Sequence, residues 1–167
     1  MAQVLFSVRI TVMENPPVSM ALEKLNIPHQ IFQHITPVDS LEKAASDRGQ
    51  RPSQIVRTIL FRLSEDEFAL VLVAGPGQIS WKLLRKILGK SRITMATPEE
   101  VLDVTGYRIG TVGPFGLLKP VRVMVEAGVL KEDELSIGSG MRDTAVIIKS
   151  TDLMMGLGNV EVVELFE

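Results

Sequence analysis

The sequence predicts an α+β fold: a mixed, mostly antiparallel sheet or partly closed barrel, flanked by short helices. Two observations carry that expectation. Segments that alternate apolar and polar residues outnumber those with helical spacing. Several neighbouring strand-like runs are joined by short polar or glycine-containing links, which favour hairpins over βαβ crossovers.

The elements follow in order. Val4, Phe6, Val8, Ile10 and Val12 alternate with Leu5, Ser7, Arg9 and Thr11, the period of a half-buried strand. Asn15-Pro16-Pro17 breaks it and opens a helix, proline being favoured in a first turn. Met20, Ala21, Leu22 and Leu25 give that helix an apolar stripe, and Pro28 ends it. Residues 29–34 read as a short strand. Thr36-Pro37-Val38-Asp39 opens a second helix, running to about Asp47 and stopped by Gly49. Residues 55–63 and 68–74 are strong strands joined by Ser64-Glu65-Asp66-Glu67 as a hairpin. After a loop at Gly75-Pro76-Gly77, Ser80 caps a helix to about Leu88, and residues 93–96 form a strand. Thr97-Pro98-Glu99-Glu100 is a capping box with proline at the first helical position. From Gly106 to Pro120 the chain is glycine-rich and irregular. Strands follow at 121–125, near Leu135 and at 145–148, with a tight turn at Gly138-Ser139-Gly140. Ser150-Thr151-Asp152 starts a short helix, and residues 160–165 form the last strand.

A chain of 167 residues with 46% hydrophobic content suits one domain with a core that needs no staples. The absence of cysteine excludes disulfides and thiolate ligands or nucleophiles, and fits the cytoplasm. No apolar run approaches the ~18 residues of a membrane span, so no membrane partner is expected. The start MAQVLFSVRITV lacks the pattern of a signal peptide. The net charge of −2 makes no case for nucleic acid in bulk. Locally, Lys82, Arg85, Lys86, Lys90 and Arg92 cluster. Lys82, Lys86 and Lys90 are four apart and would share a helix face, either as a solvated surface or as a patch for phosphates.

Few constellations could carry chemistry. His29 and His34 have no adjacent carboxylate pattern and read as ordinary strand residues, so no metal site and no cofactor is expected. No Walker A, GxGxxG or GxSxG motif is present, and Ser139 has no histidine near it in sequence. Two features remain. Arg57 falls on the more apolar side of its strand, with Ile55, Ile59, Phe61 and Leu63. It is either a structural arginine or a pocket cation for phosphate or carbonyl oxygen. The glycine-rich run Gly106–Gly116, TGYRIGTVGPFG with its leading Thr105, implies close backbone approach. It is either a plain turn or a set of backbone N–H groups that could polarise an ester.

The order of these segments resembles the YbaK/ProX family of free-standing aminoacyl-tRNA deacylases, which are similar to the editing domain of bacterial prolyl-tRNA synthetases. The resemblance runs from about Val18 to Leu165. It rests on IPHQIFQH, QIVRTILFRL, FALVLVAGPGQIS, ITMATPEEVLDVTGYRIGTVGPFGL and LSIGSGMRDTAVIIKSTDL. It implies one editing-type domain over 1–167, with 1–15 as an extra N-terminal strand and 16–167 as the family region. It also implies hydrolysis of the ester joining an amino acid to the terminal adenosine of tRNA, without a metal. Gly110, Gly113 and Pro114 match the family's GxxxP loop, which holds the aminoacyl group. Thr58, Phe115, Gly116, Gly138, Ser139 and Gly140 are the expected substrate-binding neighbours, and Lys82, Lys86 and Lys90 the expected tRNA contacts. Partners would be the aminoacylated 3′ end of tRNA and an aminoacyl-tRNA synthetase. The family's strand carries lysine where this chain has Arg57, which stays protonated and cannot act as a general base. Met141-Arg142-Asp143-Thr144 lacks the histidine by which some relatives select small substrates. The alternative to a deacylase is a non-catalytic module of the same fold that binds tRNA or a nucleotide.

Overall fold

The computed structural model describes residues 15–167, so the strand expected over residues 4–12 lies outside the described residues. The fold is α+β, with five α-helices and two open sheets among the described residues. Neither sheet closes into a barrel. The helices are α1 (Pro17–Lys24), α2 (Leu41–Arg48), α3 (Trp81–Leu88), α4 (Pro98–Thr105) and α5 (Ser150–Leu157). The strands are β1 (Gln30–Gln33), β2 (Val56–Ser64), β3 (Glu67–Ala74), β4 (Thr94–Met95), β5 (Arg122–Glu126), β6 (Glu134–Gly138), β7 (Thr144–Lys149) and β8 (Glu161–Val163).

The larger sheet runs β4-β2-β3-β5-β8 and the smaller β1-β7-β6. The β2–β3 and β6–β7 pairs are antiparallel hairpins, whereas β3–β5 and β5–β8 are parallel. Alternation on the larger sheet divides the core in two. Leu60, Leu70, Leu72 and Val125 face the smaller sheet, together with Leu135, Ile137 and Val146. Phe61, Ala69, Val71, Val73 and Met124 face the other way and are covered by Leu84 and Leu88 of α3. Burial on both faces explains why β3 reads as an unbroken apolar run.

Two helices depart from expectation. In α1 the buried residues are Val18, Ser19 and Leu22, while Met20 and Leu25 are exposed. The helix ends at Lys24, so Leu25 caps it and does not extend a stripe. α2 begins at Leu41 and not near Pro37, because the Ser40 hydroxyl accepts the Lys43 amide (3.1 Å) and fixes the first turn there.

Two contacts fix the smaller sheet, one to the larger sheet and one to the glycine-rich loop. The first is the segment before β2. Ile55 bridges Ser136 in parallel, the Gln54 side-chain amide donates to the Glu134 carbonyl (3.0 Å), and Ser136 donates to Gln50. Ser53 and Arg51 both donate to Glu132, and these bonds hold its carboxyl below the usual carboxylate range. The second is backbone against backbone: a Cβ on Gly113 would lie 2.2 Å from the Gly138 carbonyl oxygen, and one on Gly138 would lie 2.0 Å from the Val112 carbonyl oxygen. Gly113 has no positive φ, so sterics alone require glycine there. Gly113→Ala should therefore cost about 1–3 kcal/mol by overpacking, read as a lower midpoint in urea unfolding. Gly49→Ala is a different case: the added carbon meets nothing within 4 Å, and the cost there is the left-handed backbone strain at φ 66°, about 1–2 kcal/mol.

Candidate functional site

Between the two sheets lies a cavity of about 390 Å³. Its geometry follows from an unpaired stretch of β2. The Leu60 carbonyl accepts the Ala96 amide (3.0 Å), and β4 pairs only with Phe61 and Arg62. At the other end, Ile55 is bridged to Ser136. Between these points β2 has no strand beside it on the side away from β3, among the described residues. With a period of two, the backbone groups of Thr58 point to the same side as those of Leu60, into this window. Val56, Thr58 and Leu60 form the cavity's floor, Ile137, Gly138 and Ala145 its facing wall, and Gly110, Thr111 and Val112 its roof.

Most of this lining is apolar, and one polar atom stands out. Thr58 Oγ1 is shielded from solvent and has no hydrogen-bond partner among the described residues. A buried hydroxyl without a partner costs roughly 1–3 kcal/mol, so its presence at a cavity wall is informative. Among the described residues no carboxylate or histidine borders this cavity; the titratable groups there are Arg48 and Arg57. No three His, Asp or Glu side chains come together as a metal site among the described residues.

The roof loop is held from behind. The Tyr107 hydroxyl donates to the Phe115 carbonyl (2.6 Å) and sits 3.2 Å from that of Gly116, and burial pushes its pKa up. The Gly140 amide donates to the Thr111 carbonyl (2.8 Å), tying the loop to the β6–β7 turn. Gly110, at φ 85°, turns the chain where it meets the cavity mouth.

The structure sorts the site residues expected from sequence into three groups. Arg57, Thr58, Gly110 and Gly138 border the cavity. Gly113, Pro114, Phe115, Gly116, Ser139 and Gly140 stand behind its wall. Phe115 belongs to the main core, and the Ser139 hydroxyl is spent inside the turn, donating toward the Thr144 carbonyl (2.8 Å) and accepting the Met141 amide (3.1 Å). Lys82, Lys86 and Lys90 form the third group. They lie at or beyond α3, which covers the face of the larger sheet opposite the cavity floor. The shared helix face is corrected for Lys90: Gly89 ends α3 in a left-handed conformation, and Lys90 turns to pair with Glu67 (3.0 Å).

Arg57 lies on the side of β2 that its alternation gives, with Ile59 and Phe61; it borders the cavity, and its guanidinium is held on the β3 side of the strand, by the loop that follows β3. Its Nε donates to the Gly75 carbonyl (2.8 Å) and its Nη2 to that of Gly77. Burial lowers its pKa, but an arginine remains charged. Sequence reasoning missed Arg48, the second cation of the lining. It also missed the role of His34, whose Nε2 accepts from Arg48 Nε (3.1 Å) while its Nδ1 faces Asp47 (3.3 Å). Histidine and aspartate 13 residues apart give no sequence signal of a pair.

This mixed two-sheet fold is shared with known proteins. The family model for the aminoacyl-tRNA editing domain matches residues 36–155. The chain belongs to the aminoacyl-tRNA editing domain family. The uncharacterized protein YwhH of Bacillus subtilis is 30% identical to this editing domain over 129 residues, covering 77% of this chain and 81% of its own. The proline–tRNA ligase of Brachyspira hyodysenteriae is 29% identical over 126 residues, 75% of this chain but 20% of the ligase. This editing domain therefore spans about a fifth of that relative's length. A solved structure presented as a candidate trans-editing enzyme for prolyl-tRNA synthetase matches with a TM-score of 0.82 at 26% identity, covering 90% of this chain and 95% of that one.

The orphan hydroxyl makes a stability prediction. Thr58→Val removes a buried group without a partner and keeps its shape, so it should raise the unfolding free energy by about 1 kcal/mol in urea titrations. A decrease would mean that the hydroxyl has a partner in solution.

Proposed function

We propose that this editing-domain protein is a trans-acting aminoacyl-tRNA deacylase, with residues 16–167 acting as one unit. The observation that carries this reading is the Thr58 hydroxyl, unpartnered at the wall of an apolar cavity beneath the Gly110–Val112 loop. The cavity suits an amino acid with an apolar side chain. In this reading Thr58 donates to the ester carbonyl. The amides of Gly110 and Val112, which meet no acceptor among the described residues, stabilise the oxyanion.

Water attacks the ester carbon and loses its proton to solvent. The tetrahedral intermediate then collapses, breaking the bond to the ribose oxygen, which takes up a proton. The products are a free amino acid and uncharged tRNA. Since no carboxylate or histidine borders the cavity among the described residues, positioning and backbone donors would carry the acceleration. Arg57 would offer positive charge to the carbonyl or the nearest phosphate while anchored to the Gly75 and Gly77 carbonyls.

The test is deacylation of a panel of mischarged tRNAs. Turnover is expected on at least one tRNA carrying an apolar amino acid. It should fall about 100-fold in Thr58→Val, the cost of one oxyanion donor, and it should be lost in Arg57→Ala but kept in Arg57→Lys. The same lack of a general base favours a second reading, a tRNA-binding module without turnover. Salt-sensitive tRNA binding with no hydrolysis of any member of the panel would select it.

A further inference from the structure

The cavity does not end at its mouth. A second concavity of about 550 Å³ shares Arg48, Ile109, Gly110, Thr111 and Thr144 with it. A third of about 550 Å³ shares Thr111 and Arg142 with the second and adds Arg108. The three concavities form one trough around the Gly110 loop, apolar at its inner end and lined in succession by Arg48, Arg142 and Arg108.

The charges along it are poised differently. Arg48 is partly buried and oriented: its Nε donates to His34 Nε2, which must therefore be the unprotonated nitrogen, leaving Nδ1–H toward Asp47. Arg108 and Arg142 use their carbonyls to accept from Thr111 (2.7 Å) and Thr144 (3.1 Å). Their guanidinium groups form no ion pair among the described residues. Among the described residues Asp143 is the one acid lining the trough, and Asp47 behind it is neutralised by Lys43 (3.1 Å). Three arginines against one exposed carboxylate leave the trough cationic, although the chain as a whole carries −2. Guanidinium forks suit phosphodiester oxygens.

We propose that this trough binds the single-stranded 3′ end of tRNA, Arg48 holding the phosphate nearest the aminoacyl cavity and Arg142 and Arg108 the phosphates that precede it. The proposal rests on the deacylase reading for its direction and places the nucleic acid on the side of the larger sheet away from Lys82 and Lys86.

Binding of uncharged tRNA, followed by fluorescence anisotropy against salt, tests it independently of turnover. Arg108→Ala/Arg142→Ala should weaken binding at least about tenfold and reduce the slope of log K against log salt by about 1.4, two single-strand phosphate contacts. Arg142→Lys should restore part of the loss, and Lys82→Ala/Lys86→Ala should bind as wild type. Removing the single-stranded 3′ nucleotides should weaken wild type to the level of the double arginine variant and leave that variant unchanged. The proposal is overturned if the arginine variant binds intact tRNA as wild type does, if trimming has no effect, if the loss follows the lysines instead, or if wild type does not bind. Retained trough binding without hydrolysis would defeat only the deacylase reading.

Discussion

The contact between Gly113 and Gly138 governs the site. It brings the roof loop and the end of β6 closer than any side chain would allow. That approach fixes the height of the roof above β2, and Tyr107 and the Gly140–Thr111 bond keep the loop from lifting. Gly110, Thr111 and Val112 face the cavity, while Gly113, Pro114 and Phe115 are buried behind it. A loop held in this way would be stiff where the proposed ester binds, as orientation for attack requires.

The second constraint is the unfinished edge of β2. The bridge at Ile55 and the short β4 leave residues 56–59 without a strand beside them on that side, where the sheet's backbone and the Thr58 hydroxyl face an apolar space. Folding tolerates an unsatisfied group there at a cost, and functional sites are where such costs accumulate. Arg57 fits the same logic. It occupies the opposite face of the strand, where two carbonyls of the loop after β3 satisfy its guanidinium.

Much of this was legible in the sequence. Strand-like runs on either side of Ser64–Glu67 located β2 and β3, and the capping box at Thr97 placed α4 with both halves of its hydrogen-bond exchange formed. The clustered glycines marked the loop, because close approach leaves a compositional trace. What could not be read was which glycine faces the cavity and which faces the core, since both demands select the same residue. The lysine pattern misled at its last member because the glycine that ends α3 resets the helical phase. The arginine trough is drawn from α2, the loop and the β6–β7 turn. Its residues at positions 48, 108 and 142 share no local period, so only the tertiary fold assembles them.

The central claim is that the aminoacyl group enters the space between Thr58 and the Gly110 loop. The most direct measurement is amide chemical-shift mapping of the isotope-labelled protein with an adenosine carrying an apolar amino acid through a non-hydrolysable amide. The account predicts the largest shifts at Thr58, Gly110, Thr111 and Gly138, with Lys82 and Lys86 unmoved. Shifts concentrated on α3, or none at saturating analogue, would contradict it.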